Sequence, residues 1–235
     1  MSTVAASKHR SEESAVKPTR APKSGRQRVG PVESVDKPKG GTVFDPSMGF
    51  GGRLIGFIAS HCSTYVGTDP AKLQYEGNSK LVADLMPKKK KAILVMSPVE
   101  DWNEKPWTGK VDLVFTSPPY FCKEKYSEEP TQSWKRYTEF DGWLEGFMRP
   151  MIKKARNVLK PKGILGINVQ DVKMKQQVFP LVKETVRIIE EEGFVRQEDE
   201  IVPMRVRFTE LADPEDSTSR VGRKREEPIL MFKRG

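Results

Sequence analysis

The sequence predicts an α/β fold with a doubly wound, mostly parallel sheet and an antiparallel strand at one edge. Three observations predict it. From Gly41 onward, short apolar runs alternate with segments of helical periodicity. The first run meets the first helix through a glycine-rich turn, Ser47 to Gly52. The last two apolar runs follow one another with no helix between them, which reads as an antiparallel hairpin.

The elements follow in order. "TVFDP" is a short buried strand, and "RLIGFIASH" carries Leu54, Ile55, Phe57 and Ile58 at helical spacing. "TYVGTDP" is a second strand ending in an acid, and "AKLQYEGNSKLVADLM" a second helix. "AILVMS" and "VDLVFTS" are strands three and four. "WLEGFMRPMIKKARNVL" is a long amphipathic helix interrupted at Pro150. "KGILGINV" is a fifth strand. "VFPLVKETVRIIEEEG" is a helix stopped by Gly193. "FVRQEDEIVPM" and "PILMFKR" are the final two strands. Residues 121–140 and 203–226 are charged, weakly periodic and read as loops. "PKKKK", Pro87 to Lys91, reads as a solvated turn.

Residues 1–40 differ from the rest. They hold nine Lys and Arg against four acids, a net of +5, with no apolar period. They read as a disordered basic tail, and residues 41–235 as one domain. The tail is either a solvated extension or an arm for nucleic acid or a protein partner. The whole chain carries a formal charge of +9, with 36% hydrophobic and 31% charged residues. That balance favours a polyanionic partner. Two cysteines and two histidines without a CxxC spacing exclude a zinc cluster, and no metal is expected. No apolar run approaches the roughly 20 residues of a membrane span. The N-terminus lacks the apolar core of a secretory signal, so a reducing, nucleic-acid-containing compartment is expected.

The glycine turn lets a ligand approach bare backbone at a helix N-terminus. It lacks the Gly-Lys-Ser/Thr of an NTP-binding loop. Asp69 closes the second strand, 24 positions after Asp45. It can accept the hydroxyls of a ribose, or cap the next helix beside Pro70. Glu100, Asp101 and Trp102, after strand three, are candidates for an adenine ring.

The fourth strand delivers Ser117-Pro118-Pro119-Tyr120 to the sheet's C-terminal edge. Two prolines fix φ and remove two N–H donors, leaving acceptors beside an aromatic face. That suits a flat ligand bearing an amino group. An exocyclic base amine is a poor nucleophile because its lone pair is delocalised. Accepting hydrogen bonds from its N–H groups returns the lone pair to nitrogen.

"DPSMGFGG" and "TSPPY" together resemble motifs I and IV of the S-adenosylmethionine-dependent amino-methyltransferases. These act on cytosine N4 or adenine N6 of DNA, with relatives acting on RNA and on protein glutamine. "VGTDP" and "REEPILMFKR" are similar to the family's ribose-binding acid and terminal strand. The resemblance covers roughly residues 41–235. It implies a Rossmann-like class I methyltransferase sheet with S-adenosylmethionine as cofactor. It places Asp45, Pro46, Gly49 and Gly51 at the methionine end of the cofactor, Asp69 at its ribose, and Glu100 and Asp101 nearby. It places the target base at Ser117, Pro118, Pro119 and Tyr120. Serine at the first motif IV position puts cytosine N4 slightly ahead of adenine N6. RNA is the alternative substrate; a nucleic-acid-binding module without turnover is the other alternative.

Three departures stand out. Motif I precedes motif IV, unlike cytosine enzymes with the reverse order. No apolar helix precedes the first strand, where the family closes one side of its cofactor site, so weak cofactor binding is expected. No separate target-recognition domain is present. Base choice therefore falls to loops. Tyr126, Trp134, Lys135 and Arg136 combine aromatics with cations, a pattern for stacking and phosphate contact or for a self-packed lid. Arg205, Arg207, Arg223, Lys224 and Arg225 form a second candidate phosphate surface.

Overall fold

The computed structural model describes residues 40–174, 177–198, 200–204 and 225–235. The basic tail, apart from Gly40, lies outside the described residues, as do Arg205, Arg207, Arg223 and Lys224. Arg225 is placed in a strand, but its side chain is outside them too.

The strands are β1 (Thr42–Asp45), β2 (Thr64–Asp69), β3 (Lys91–Met96), β4 (Val111–Thr116), β5 (Leu159–Asn168), β6 (Val172–Met174), β7 (Gln177–Phe179), β8 (Phe194–Arg196), β9 (Glu200–Met204) and β10 (Arg225–Arg234). The helices are α1 (Gly52–Ala59), α2 (Lys72–Leu85), α3 (Ser133–Arg136), α4 (Phe140–Trp143), α5 (Arg149–Val158) and α6 (Leu181–Glu191). The main sheet runs β3-β2-β1-β4-β5-β10-β8, with β9 also paired to β10. β1 to β5 are mutually parallel, and β10 is antiparallel to each of its neighbours. This is the mostly parallel, doubly wound α/β sheet the sequence predicts.

Both faces of the sheet are covered. Adjacent strand residues point to opposite faces. Val43 and Tyr65 join a cluster with Leu54 and Phe57 of α1, while Phe44 and Val66 join the larger core. Helix α5 adds Met151, Ile152, Ala155 and Val158 to that core, and α6 adds Leu181, Ile188 and Ile189. Each of these Val, Leu, Ile, Phe and Met side chains contributes roughly 1.5–3 kcal/mol when fully buried.

Several elements differ from the sequence reading. The antiparallel pair at one edge is present as β8 and β10, and within it β10 is the inner strand, between β5 and β8. The predicted strand 194–204 is two strands, β8 and β9, each pairing with a different stretch of β10. The predicted helix at Val178 starts only at Leu181, because β6 and β7 form a small separate hairpin. Pro150 does not break its helix. Residues 140–158 run on through a π turn, Leu144–Met148, in which the Arg149 N–H bonds the Leu144 carbonyl. Shifting to that longer bond accommodates a proline whose ring would otherwise clash with the carbonyl four residues back. Segment 121–140 is not plain loop; it holds a 3-10 turn at Phe121–Lys123, then α3 and the first residue of α4. Lys90 is not solvated: its ammonium donates to the carbonyls of Phe57, Ile58 and Ser60 at 2.6–2.9 Å, closing the C-terminus of α1.

Among the described residues no helix is long and apolar enough to cross a membrane. No group of three or more His, Cys, Asp or Glu could hold a metal ion among them.

Candidate active site

Strand order reverses between β1 and β4, and at such a point the carboxyl ends of two parallel strands leave a crevice. A cleft lies there. Its walls include the β1 turn, Asp69, Gln74, Glu100, Ser117, Pro119 and residues 131–133.

The turn after β1 is built from beneath. Asp45 is fully buried. Its Oδ2 accepts from Arg53 Nε and from the Tyr65 hydroxyl, each at 2.8 Å, and its Oδ1 accepts from the Ser47 amide. Burial alone would lower the Arg53 pKa, but the charge and hydrogen bond of Asp45 raise it overall. Burial and the same carboxylate hold Tyr65 protonated well above its ordinary range. Asp45 does not line the cleft; Pro46, Ser47, Met48, Gly49, Phe50, Gly52 and Arg53 do. Gly51 has φ +86° and faces α2, where a Cβ would meet Asn78 Oδ1 at 2.6 Å. Asn78 Nδ2 in turn donates to the Gly49 carbonyl at 2.7 Å.

Asp69 is nearly buried and lines the cleft. Its carboxylate accepts from the Gly49 and Ala71 amides, both at 2.9 Å. It thus joins the turn to the start of α2, and two carboxylate lone-pair sites remain for a ligand. Burial raises its pKa, with the two amides opposing, and the net is upward. Glu100 also lines the cleft. Its Oε1 accepts from Arg136 at 3.3 Å, while its buried Oε2 has no partner among the described residues. Burial outweighs Arg136 and raises the Glu100 pKa. Asp101 points away, half exposed and paired with Arg136 at 2.7 Å. Trp102 is core, stacked on Phe44 at 4.6 Å.

Sequence reasoning missed Gln74. It is buried, lines the cleft, and its Oε1 lacks a partner among the described residues. The available signal was a polar pair, Gln74 and Asn78, one turn apart on the buried side of α2. Three buried acceptors, Asp69, Glu100 and Gln74, beside bare glycine backbone fit an adenosine-bearing cofactor with hydroxyl and amino donors.

The Ser117-Pro118-Pro119-Tyr120 corner closes the other end. Ser117 and Pro119 line the cleft, and Pro118 is buried. The Tyr120 hydroxyl donates to Asn168 Oδ1 at 2.8 Å, and Ser117 Oγ lies 3.4 Å from the same atom. Asn168, at the end of β5, was also missed. The Pro119 carbonyl is drawn into a turn by the Phe121 amide. Phe121 has φ +48°, a left-handed conformation costing a bulky residue about 1–3 kcal/mol. Its ring is buried against Phe140, Trp143 and Phe179, at centroid distances of 5.2–5.9 Å, which holds it there.

The segment after the corner forms the last wall. Tyr126, Thr131, Gln132 and Ser133 line the cleft. The Tyr120 amide donates to Glu124 at 2.9 Å, and burial and Glu124 together raise the Tyr126 pKa. Trp134 is flanked by the ammonium groups of Lys125 and Lys135, at 4.7 and 5.1 Å. Lys135 pairs with Glu128 at 2.7 Å, and Arg136 with Glu100 and Asp101. The two cations picked out for phosphate contact are thus matched by carboxylates.

No curated protein is similar enough in sequence to match the chain. Solved structures share its fold at low identity. A S-adenosylmethionine-dependent methyltransferase of Methanosarcina mazei has TM-score 0.51 and 11% identity, covering 83% of this chain and 93% of that one. The magnesium protoporphyrin IX methyltransferase ChlM of Synechocystis, solved with S-adenosylmethionine, has TM-score 0.51 and 12% identity, covering 83% and 71%. The [4+2]-cyclase SpnF has TM-score 0.53 and 14% identity, covering 83% and 75%. A cyclase among them shows that this fold alone does not set the reaction. The decisive match is to the family model described as DNA methylase, of the N6/N4 type, over residues 111–234. That span opens at β4 and takes in the Ser-Pro-Pro-Tyr corner and β10; by it the chain belongs to the N6/N4 DNA methylase family, methyltransferases whose cofactor is S-adenosylmethionine.

Proposed function

We propose that the chain transfers a methyl group to the exocyclic amine of a nucleobase in DNA, with cytosine N4 ahead of adenine N6. The observation that supports this most is the corner at the end of β4. Its two prolines offer carbonyls without N–H donors, and Ser117 and Pro119 share the cleft with Asp69 and Glu100. Serine at the corner's first position favours cytosine.

Asp69, Glu100 and Gln74 would hold the adenosine part of the cofactor, and the β1 turn its amino-acid part. When bound, S-adenosylmethionine supplies an electrophilic methyl group. The chain's residues supply position. Asn168 Oδ1 accepts from Tyr120 and lies within reach of the Ser117 hydroxyl proton. A serine hydroxyl that donates to Asn168 turns its lone pairs outward, toward an amine N–H. The amine nitrogen then recovers its own lone pair for attack. No strong base is needed, and positioning carries most of the rate. A base in duplex DNA must be flipped to reach the corner. The basic tail and the cations at 205–225 are proposed to contact phosphates.

The test is methyl transfer from labelled S-adenosylmethionine to duplex DNA, single-stranded DNA and RNA, followed by nucleoside analysis. Label on cytosine N4 of DNA is expected. Label on adenine N6 corrects the atom, and label confined to RNA corrects the substrate. Absence of label on any nucleic acid overturns the proposal. Ser117→Ala and Tyr120→Ala should each lower kcat by about 100-fold, the cost of one preorganised polar contact, with cofactor Kd unchanged.

A further inference from the structure

We propose that Arg53 is the residue that selects the carboxylate of the cofactor's amino-acid end. The guanidinium lines the cleft at the β1 turn. It is held on two sides. Nε donates to Asp45 Oδ2 at 2.8 Å, and Nη2 donates to the Ser47 carbonyl. Nη1 has no hydrogen-bond partner among the described residues. An arginine fixed in this way presents its remaining N–H edge without losing further side-chain freedom.

The charges along the cleft support the same orientation. Asp69 and Glu100, on the β2 and β3 side, are carboxylates. They suit hydroxyl and amino donors and repel a carboxylate. The other charge on the cleft wall is Arg53, beside the exposed start of α1. Helix α1 begins at Gly52 with no side-chain cap, so its first N–H groups add positive potential there. Asp45 would oppose an incoming anion, but it is buried, outside the wall, and bound by Arg53, Tyr65 and Ser47. The pair therefore does more than hold the turn: buried Asp45 fixes a cation whose unpaired edge faces ligand.

Two ligands separate this role from a structural one. S-adenosylmethionine and decarboxylated S-adenosylmethionine share the adenosine, the sulfonium and the ammonium, and differ only in the carboxylate. Direct binding by calorimetry, without nucleic acid, is the readout, so the outcome is independent of the methylated substrate. The wild-type chain should prefer the carboxylated ligand by roughly 10- to 100-fold, the range for one charge-assisted contact. In Arg53→Gln that preference should shrink to about two-fold, with the decarboxylated ligand bound as before. Arg53→Lys should keep part of the preference. Equal wild-type affinity for both ligands, or neither ligand bound, overturns the proposal whether or not a variant folds. A preference that survives in Arg53→Gln, or equal weakening of both ligands, also overturns it and leaves Arg53 as a brace for Asp45.

Discussion

Arg53, on the cleft wall, and Arg136, behind it, make opposite use of the same chemistry. Arg53 is held from inside: its partner Asp45 is fully buried, and Tyr65 shares that carboxylate. Arg136 is held nearer the surface, between the largely buried Glu100 at 3.3 Å and the half-exposed Asp101 at 2.7 Å. One wall of the cleft is thus an extension of the core. The other, residues 126–136, is short turns fastened largely by ion pairs, with the Lys72 amide to Glu129 as a further tie. Exposed ion pairs contribute about 0–1 kcal/mol each and weaken with salt, whereas breaking a buried pair strands a charge. A cofactor that must enter and leave needs one wall of each kind.

Asp45→Ala tests the inner wall and carries the largest expected effect. It leaves the partly buried Arg53 guanidinium and the buried Tyr65 hydroxyl without their acceptor, so stability should fall by about 3 kcal/mol, read by denaturant midpoint. A loss below about 1 kcal/mol would erase the contrast between the walls.

Asp69→Asn should weaken S-adenosylmethionine by roughly ten-fold or more, because a charged acceptor becomes a neutral one. The same acid sets a pH dependence. Its folded pKa lies above its ordinary value, as does that of Glu100, through burial. Protonation is therefore favoured in the fold, so the pair stabilises it most at acidic pH, and that contribution fades as pH rises through the raised values. Cofactor affinity runs the other way: it should drop as pH falls through a point above the usual carboxylate range. Asp69→Asn should blunt that drop, and a Kd series against pH checks it.

Arg136→Ala carries the smallest expected effect, on the outer wall. Stability should change by about 1–2 kcal/mol, because the pair with Glu100 is long and its raised pKa lets it take a proton, and cofactor dissociation should quicken only a few-fold, with less difference at high salt. Stopped-flow dissociation at two salt concentrations would show it. A loss as large as that of Asp45→Ala would mean both walls are core.

Much of this was legible before any coordinates. The β1–β4 strands and both functional turns follow from local apolar runs and from glycine and proline, whose constraints act within a few residues. The position of β10 did not follow, because its insertion between β5 and β8 depends on pairing across tens of residues. The partners of Arg136 were hidden for the same reason, although that of Lys135, Glu128, lies only seven positions away. Read alone, Lys135 and Arg136 look like cations for phosphate; Glu100 and Asp101, some 35 positions earlier, make Arg136 a clasp. Arg53 looked like an ordinary helix residue, since nothing local announces that Asp45 will be buried beneath it.

The π turn at Leu144–Met148 makes the corner depend on a length. One extra residue in a helix rotates everything before it by about 100° relative to everything after. After the turn, Met151, Ile152, Ala155 and Val158 sit on the sheet; before it, Phe140 and Trp143 grip Phe121. Deleting Gly146, the one residue of 144–148 without a side chain, would leave the buried residues of the sheet-facing half in place. It would swing the aromatic grip off Phe121 and let the strained backbone behind Tyr120 relax. The geometry of the Ser-Pro-Pro-Tyr corner is therefore encoded partly as a residue count in a neighbouring helix, and an insertion or deletion there should act like a substitution in the corner itself.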